Sequence, residues 1–451
     1  MDTRLDYMDH ASYTAFRAMG HHPVLHYTWV YDRPVDVAAL QRLSERLHRG
    51  RLARLVQPSP TWGGRHRWVR PDEHARIEVE RSTRPRSQIQ QWSLEVSRRP
   101  IDPEVGPPWR FGVLSLDCGG SAVALVVSHT VTDNGAMMAA LAEALGERDP
   151  GVYPRRGAVR RSRWGELLEV ITSVPEKVRA VVLTLRRVRS GRRLSTVAPR
   201  PPAPQGRLYT PPQRPPTASP CLDGAARAVT FVPETAWAAC AERLGGTPNV
   251  LATAVAARLG QRLGRTQQDA SVNVTVPVSI RKGDDDLRGN ALSYVVVNLD
   301  PDVGPVDLRP ARAALKAVLT AQADSPLPLL AALPLVPLVP VWLLRRLEKF
   351  ALGADVQTVG CSNLGRVSDR VMQIDGAPCQ YAYCQFNEPG RPTAELARMG
   401  GQGFLGVTTS GGRATVNSVA FRPGADNSDA ALLDLVHAVL DDFGLHERLT
   451  W

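Results

Sequence analysis

The chain has 451 residues, of which 43% are hydrophobic and 22% charged; it is too long for one hydrophobic core and has the balance of a globular protein, not a disordered or fibrous one. Six cysteines, Cys118, Cys221, Cys240, Cys361, Cys379 and Cys384, form no C-x-x-C pair, so neither a zinc ribbon nor a thioredoxin-like centre is expected and the thiols read as reduced. The formal charge is +11, and residues 155–216 alone carry fourteen Arg and one Lys against three Glu, leaving the rest of the chain near neutral.

In chain order, the opening MDTRLDYMDHASY lacks a basic patch followed by an apolar run, so a cytoplasmic chain, at most peripheral to a membrane, is the expectation. GHHPVLHYTWV follows, with His21, His22 and His26. Pro23 and the β-rich continuation spoil a helical His-x-x-x-His face, so no metal site is expected. GGRHRWVRP, preceded by Trp62 and containing His66 and Trp68, reads as a hairpin. WRFGVLSL and SAVALVVS are two further β-rich runs separated by DCGG, the pattern of a hairpin with a glycine-containing turn. The second run delivers His129. After TDNG the pattern changes to AMMAALAEAL, a helix, so His129 and Asp133 stand in a strand-to-helix loop. A helix cap is one role open to Asp133 at this position. Spacing alone does not choose between roles: His437 and Asp441, in DAALLDLVHAVLDDFG, repeat the same interval inside an amphipathic helix, where it only means a shared face.

The basic segment runs through a predicted helix, PEKVRAVVLTLRRVR, into APRPPAPQGRLYTPPQRPP, whose prolines forbid regular structure. It therefore reads as a connection, 156–216, between an N-terminal unit, 1–155, and a C-terminal unit, 217–451. Its arginines suit either a solvated helix face or a surface for an acidic partner: a phosphate-bearing cofactor, a carrier protein or an anionic membrane. Nucleic acid is not expected, because aromatic residues are not interleaved with the arginines and no zinc-finger, RNP or helix-turn-helix signature is present. Residues 326–344, PLPLLAALPLVPLVPVWLL, carry no charge but five prolines, so they predict a broken helix or polyproline-like segment, buried in preference to lying in a membrane.

Several stretches together resemble the wax ester synthase/diacylglycerol acyltransferase family, within the broader group of HxxxD acyltransferases and condensation domains. RRPIDPEVGPPWRFGVLSL is similar to the family's approach to its catalytic hairpin, and VSHTVTDNG to its HHxxxDG motif. VPVSIRKGDDDLRGNALSYVVVNL, CSNLGRV and GFLGVTTSGGRATVNSVAF resemble, in order, its Pro-Val-Ser-x-Arg and Gly-Asn stretch, its Ser-Asn turn and its late hairpin. Two departures stand out: Ser128 replaces the first histidine, and Asn134 replaces the glycine after the aspartate, with Gly135 one place later.

The resemblance implies an α/β chain of two chloramphenicol-acetyltransferase-like subdomains, each a mixed sheet flanked by helices, with a tunnel between them and His129 at the junction. It implies acyl transfer from a thioester to a hydroxyl or amine, with His129 as general base, a role that an imidazole titrating near neutrality suits. Asp133 would then be structural, paired with Arg281, while Asn134, Gly135 and Asn290 would contact substrate or the oxyanion. No bound cofactor is expected. Acyl-CoA or a phosphopantetheine thioester is the co-substrate, and a small-molecule or lipid alcohol or amine the acceptor. Two other classes fit the same residues: a catalytically weakened relative that binds acyl chains or a carrier protein, and a basic scaffold on membranes or nucleic acid.

Overall fold

The computed structural model describes residues 3–21, 23–72, 77–146, 153–155, 163–189, 224–283, 285–324, 328–351 and 357–450. The Pro-rich stretch 190–216, together with His22 and Cys221, lies outside the described residues.

The strands are β1 (Val24–Tyr31), β2 (Leu55–Gln57), β3 (Arg67–Val69), β4 (Ile77–Val79), β5 (Trp109–Ser115), β6 (Ser121–Ser128), β7 (Ala226–Pro233), β8 (Val272–Ser279), β9 (Leu292–Leu299), β10 (Thr358–Arg366), β11 (Tyr381–Asn387), β12 (Gln402–Ser410) and β13 (Arg413–Phe421). They form a five-stranded sheet in the order β11-β1-β6-β5-β4, a six-stranded sheet in the order β7-β13-β12-β10-β8-β9, and the small β2-β3 pair. Both large sheets are mixed: β4 runs parallel to β5 in the first, and β10 parallel to β8 and β12 in the second. Two mixed sheets flanked by helices are the α/β architecture expected from the sequence. The predicted hairpin β5-β6 is present, while GGRHRWVRP supplies only β3, whose antiparallel partner β2 lies upstream of it.

Every residue of β6 is buried, because helices or the second lobe cover both faces of the first sheet. The strand's period of two sorts its side chains: Val123, Leu125 and Val127 pack with Met137 and Leu141 of the helix Asn134–Leu145. Ala122, Ala124 and Val126 pack on the other side with Ile89, Trp92 and Val96, which recur at helical spacing along Ile89–Ser97. That helix can approach β5 because position 112 is glycine: a Cβ there would lie 2.9 Å from Val96 Cγ2. The second lobe is organised around the helix Pro248–Arg262, capped by Thr247 and buried nearly all round.

One element departs from the division at 156–216. β11, from the C-terminal half, pairs antiparallel with β1 and completes the first sheet. The physical reason is the edge of β1: β6 pairs one side of this fully buried strand, and without β11 the N–H and C=O groups on its other side would be unpaired. The proline-rich 326–344 stretch also has a definite form among its described residues, a short helix Pro328–Ala332, a 3-10 turn Leu333–Leu338 and a helix beginning at Val341. Pro334, Pro337 and Pro340, three apart, match the three-residue period of a 3-10 turn, which polyproline and broken-helix readings left open. The stretch is half-buried between the helices Tyr7–Met19 and Val174–Arg189, with Val341 and Trp342 exposed. Among the described residues no helix is long and apolar enough to cross a membrane.

Candidate active site

β6 ends at Ser128, and the His129 N–H donates to Pro23 O at 3.0 Å, so the chain leaves the sheet while still tied to the entry of β1. The Asp133 N–H donates to Gly289 O at 2.7 Å. The helix then starts at Asn134, with Asp133 Oδ1 accepting from Ala136 N at 2.7 Å as an ordinary N-cap. The same carboxylate accepts Arg281 Nη2 on both oxygens, at 2.8 and 2.8 Å, and Ala291 N at 2.8 Å. Cap and ion pair, posed as alternatives by the sequence, coexist because one carboxylate has enough lone pairs for both.

Arg281 is anchored in turn. Its Nη1 donates to Asp286 O and Arg288 O, at 2.7 and 3.1 Å, so it gathers the loop that carries Gly289 and Asn290. Gly289 is tightly seated: a Cβ there would lie 2.8 Å from Asp9 Oδ1 and 2.9 Å from Val131 O.

Asn290 reaches His129 directly, with Oδ1 2.9 Å from Nδ1. Its amide orientation follows from its other partners: Nδ2 donates to Asp9 Oδ1, His129 O and Thr130 O at 3.1, 3.0 and 3.3 Å, all of which are acceptors. Oδ1 must therefore be the acceptor toward His129, and Nδ1 must carry the proton. In the neutral imidazole the lone pair is then on Nε2, which makes no hydrogen bond to a described residue. The half-buried ring sits edge-on to Phe386 of β11, centroids 6.0 Å apart, and Phe386 stacks toward Phe404 of β12. His129 thus stands where the two lobes meet.

Asp9, from the helix Tyr7–Met19, was not singled out by sequence. Fully buried, it accepts Gly289 N at 2.9 Å and Asn290 N at 2.6 Å as well as the Asn290 amide. Burial pushes its carboxyl up to about 6, against the opposing pull of the Arg54 guanidinium and the Gly289 N–H. In the sequence Asp9 looks like any first-turn helix acid; its real partners lie 280 residues away. Phe386 and Phe404 gave no signal for the same reason.

Asn134 stands where the resembled motif has a glycine. It is the first residue of a right-handed helix, so no glycine is required there. Its side chain instead turns to β1, where Oδ1 accepts the Tyr27 hydroxyl at 2.7 Å. The two residues help line an apolar crevice between the lobes with Trp29, Met138, Leu364 and Thr408, whose free volume is about 10 Å3. That is room for roughly one water molecule. The backbone N–H groups of Asn134 and Gly135, ahead of the cap bond at Ala136, make no hydrogen bond to described residues.

His437 and Asp441 share the helix Asp429–Asp442 but not a bond. Asp441 accepts His446 Nδ1 at 2.7 Å and Arg448 Nη1 at 2.6 Å instead. His21 pairs with Glu395 and His26 with Asn387, both buried. His66 stacks on His10, centroids 4.0 Å apart.

No known protein-family model matches the chain, and no curated protein sequence matches it. Solved structures do. The first condensation domain of the CDA synthetase is 15% identical, with a TM-score of 0.56 over 100% of this chain and 99% of that one. TRI101 of F. sporotrichioides, solved with coenzyme A and T-2, is 12% identical, with a TM-score of 0.57 over 99% of this chain and 100% of that one. The wax ester synthase/diacylglycerol acyltransferase of Marinobacter aquaeolei VT8 is 17% identical, with a TM-score of 0.54 over 98% of this chain and 99% of that one. From end to end, the chain has the two-lobed fold that condensation domains and CoA-dependent acyltransferases of this kind share.

Proposed function

We propose that the protein transfers an acyl group from a thioester, either acyl-CoA or a carrier-bound phosphopantetheine, to a hydroxyl or amine. The observation that carries this reading is the state of His129: Asn290 holds the Nδ1 proton, and Nε2 is an unpaired acceptor at the junction of the lobes. Nε2 takes the acceptor's proton as its oxygen or nitrogen attacks the thioester carbon, and returns it to the departing thiolate. No acyl-enzyme is needed. The tetrahedral oxyanion is met by the free N–H groups of Asn134 and Gly135. Asp133 and Arg281 act on the reaction only by holding the loops that carry His129 and Asn290. In support, the fold is one on which condensation domains and acyltransferases are built.

The test is release of free thiol from a panel of acyl-CoA and acyl-pantetheine thioesters, with alcohols and amines offered as acceptors. His129→Ala should lose about a hundredfold or more in turnover with its fold intact, while His437→Ala keeps turnover. Equal rates in the wild type and His129→Ala would remove His129 from the mechanism. One observation favours a second reading, a protein that binds a carrier or short acyl group with little turnover: the crevice that Asn134 and Tyr27 close. Binding of a non-hydrolysable thioester analogue with no thiol release would select it.

A further inference from the structure

The helices Arg163–Thr172 and Val174–Arg189 are mounted with their apolar side outward. Trp164, Leu168, Ile171, Val174, Val178 and Leu185 are all exposed, Trp164 by 80% and Leu168 by 62%. They recur every three or four residues, with Leu167, Val181 and Val182 filling in, so one continuous apolar stripe runs along both helices. The side turned to the body packs Ala180 and the 328–338 stretch, and it also carries charged residues. Glu166 accepts Ser59 Oγ at 2.8 Å, Glu169 accepts Arg67 Nη2 at 2.8 Å, and Lys177 donates to Gly63 O at 2.9 Å. Glu166 and Lys177 are buried by these contacts.

A helix that spends its charged residues on the body and its apolar ones on the outside has a partner outside. We propose that this helix pair docks the protein onto an anionic lipid surface. Glu166 and Glu169 are used inward and the exposed Glu176 accepts the Tyr7 hydroxyl at 2.8 Å, so the outward side keeps exposed Arg179 and Arg186 beside the stripe, in a segment of net charge +12. Apolar stripe with basic flanks is the composition of an interfacial helix, and its charge complements anionic headgroups. A second copy would bring two such segments face to face, like charge against like. Residues 190–223 supply five large apolar side chains, Leu194, Val197, Leu208, Tyr209 and Leu222, against nine to be covered, and five more arginines. The surface is separate from His129 and stands whatever the chemistry there.

Cosedimentation of the full-length chain with vesicles tests this, comparing phosphatidylcholine alone with phosphatidylcholine containing about a quarter phosphatidylglycerol. The wild type is expected to sediment with the mixed vesicles and much less with the neutral ones. Leu168→Glu with Val178→Glu should weaken partition roughly tenfold or more at both low and high salt. Arg179→Gln with Arg186→Gln should weaken it about tenfold at low salt only. All four positions are exposed, so thermal melts should be unchanged. Three results would overturn the proposal: no preference for anionic vesicles, undiminished binding by the Leu168/Val178 variant, or a wild-type dimer in sedimentation velocity that this variant dissolves while neither binds vesicles.

Discussion

Replacing Asp133 by Asn changes one atom and breaks a junction between the lobes. The carboxylate is 2% exposed and Arg281 11%, so the pair is largely shielded from water and salt. Asp133 accepts from Arg281 Nη2, Ala136 N and Ala291 N. An asparagine keeps one acceptor oxygen and turns an NH2 toward groups that are all donors, leaving the guanidinium without a counter-charge. Breaking a buried pair from one side costs about 3 to 5 kcal/mol, which a urea titration reads as a lower midpoint at unchanged slope. Arg281→Ala should cost a similar amount, because it also releases Asp286 O and Arg288 O. The double variant should then lose about 2 kcal/mol less than the sum of the singles, the second change removing a group already unpaired. Turnover should fall in parallel, since Asp133 N and Oδ2 clamp Gly289 and Ala291 on either side of Asn290. Single losses that add to within about 0.5 kcal/mol would refute the pairing and leave Asp133 as a helix cap alone.

Gly289→Ala should destabilise the protein by about 1 to 3 kcal/mol and lower turnover, because its Cβ would meet Asp9 Oδ1 and the Val131 carbonyl; a melt equal to wild type would mean the loop gives way freely. Asn134→Gly removes the acceptor of the Tyr27 hydroxyl, at roughly 1 to 2 kcal/mol, and should shift thiol release toward longer acyl chains; an unchanged chain-length profile would show that the crevice does not hold the chain. Asp9 titrates at about 6 when folded against 3.8 as its ordinary value, so between these the folded chain keeps a proton that the unfolded chain has released. Its contribution to stability therefore falls as pH rises through that window and is level above it. Asp9→Asn should lack this slope, and denaturation midpoints from pH 4 to 7 that run parallel in the two proteins would contradict the burial argument.

Local chemistry made half of the site legible. The β5-β6 hairpin, the switch to a helix at Asn134 and the cap at Asp133 all depend on residues within a few positions of one another, so periodicity and capping rules reach them. Arg281 and Asn290 were reachable only through resemblance, since nothing near them in the chain says that they meet Asp133 and His129. Asp9 was not reachable at all. A carboxylate in a first helical turn has a sufficient local explanation, and only the packing of the helix Tyr7–Met19 under the Gly289–Asn290 loop gives it another. The same holds for β11, whose pattern shows a buried strand but not that β1 is its partner.

The Arg-rich helix pair makes the division sharpest. Amphipathicity is a property of the sequence alone: the stripe from Trp164 to Leu185 and its charged neighbours are set by spacing. Which side faces the body is not, because burying Glu166 and Lys177 is favourable only where Ser59 Oγ and the Gly63 carbonyl stand ready to receive them. Those partners are more than a hundred residues away, and only the folded chain brings them there.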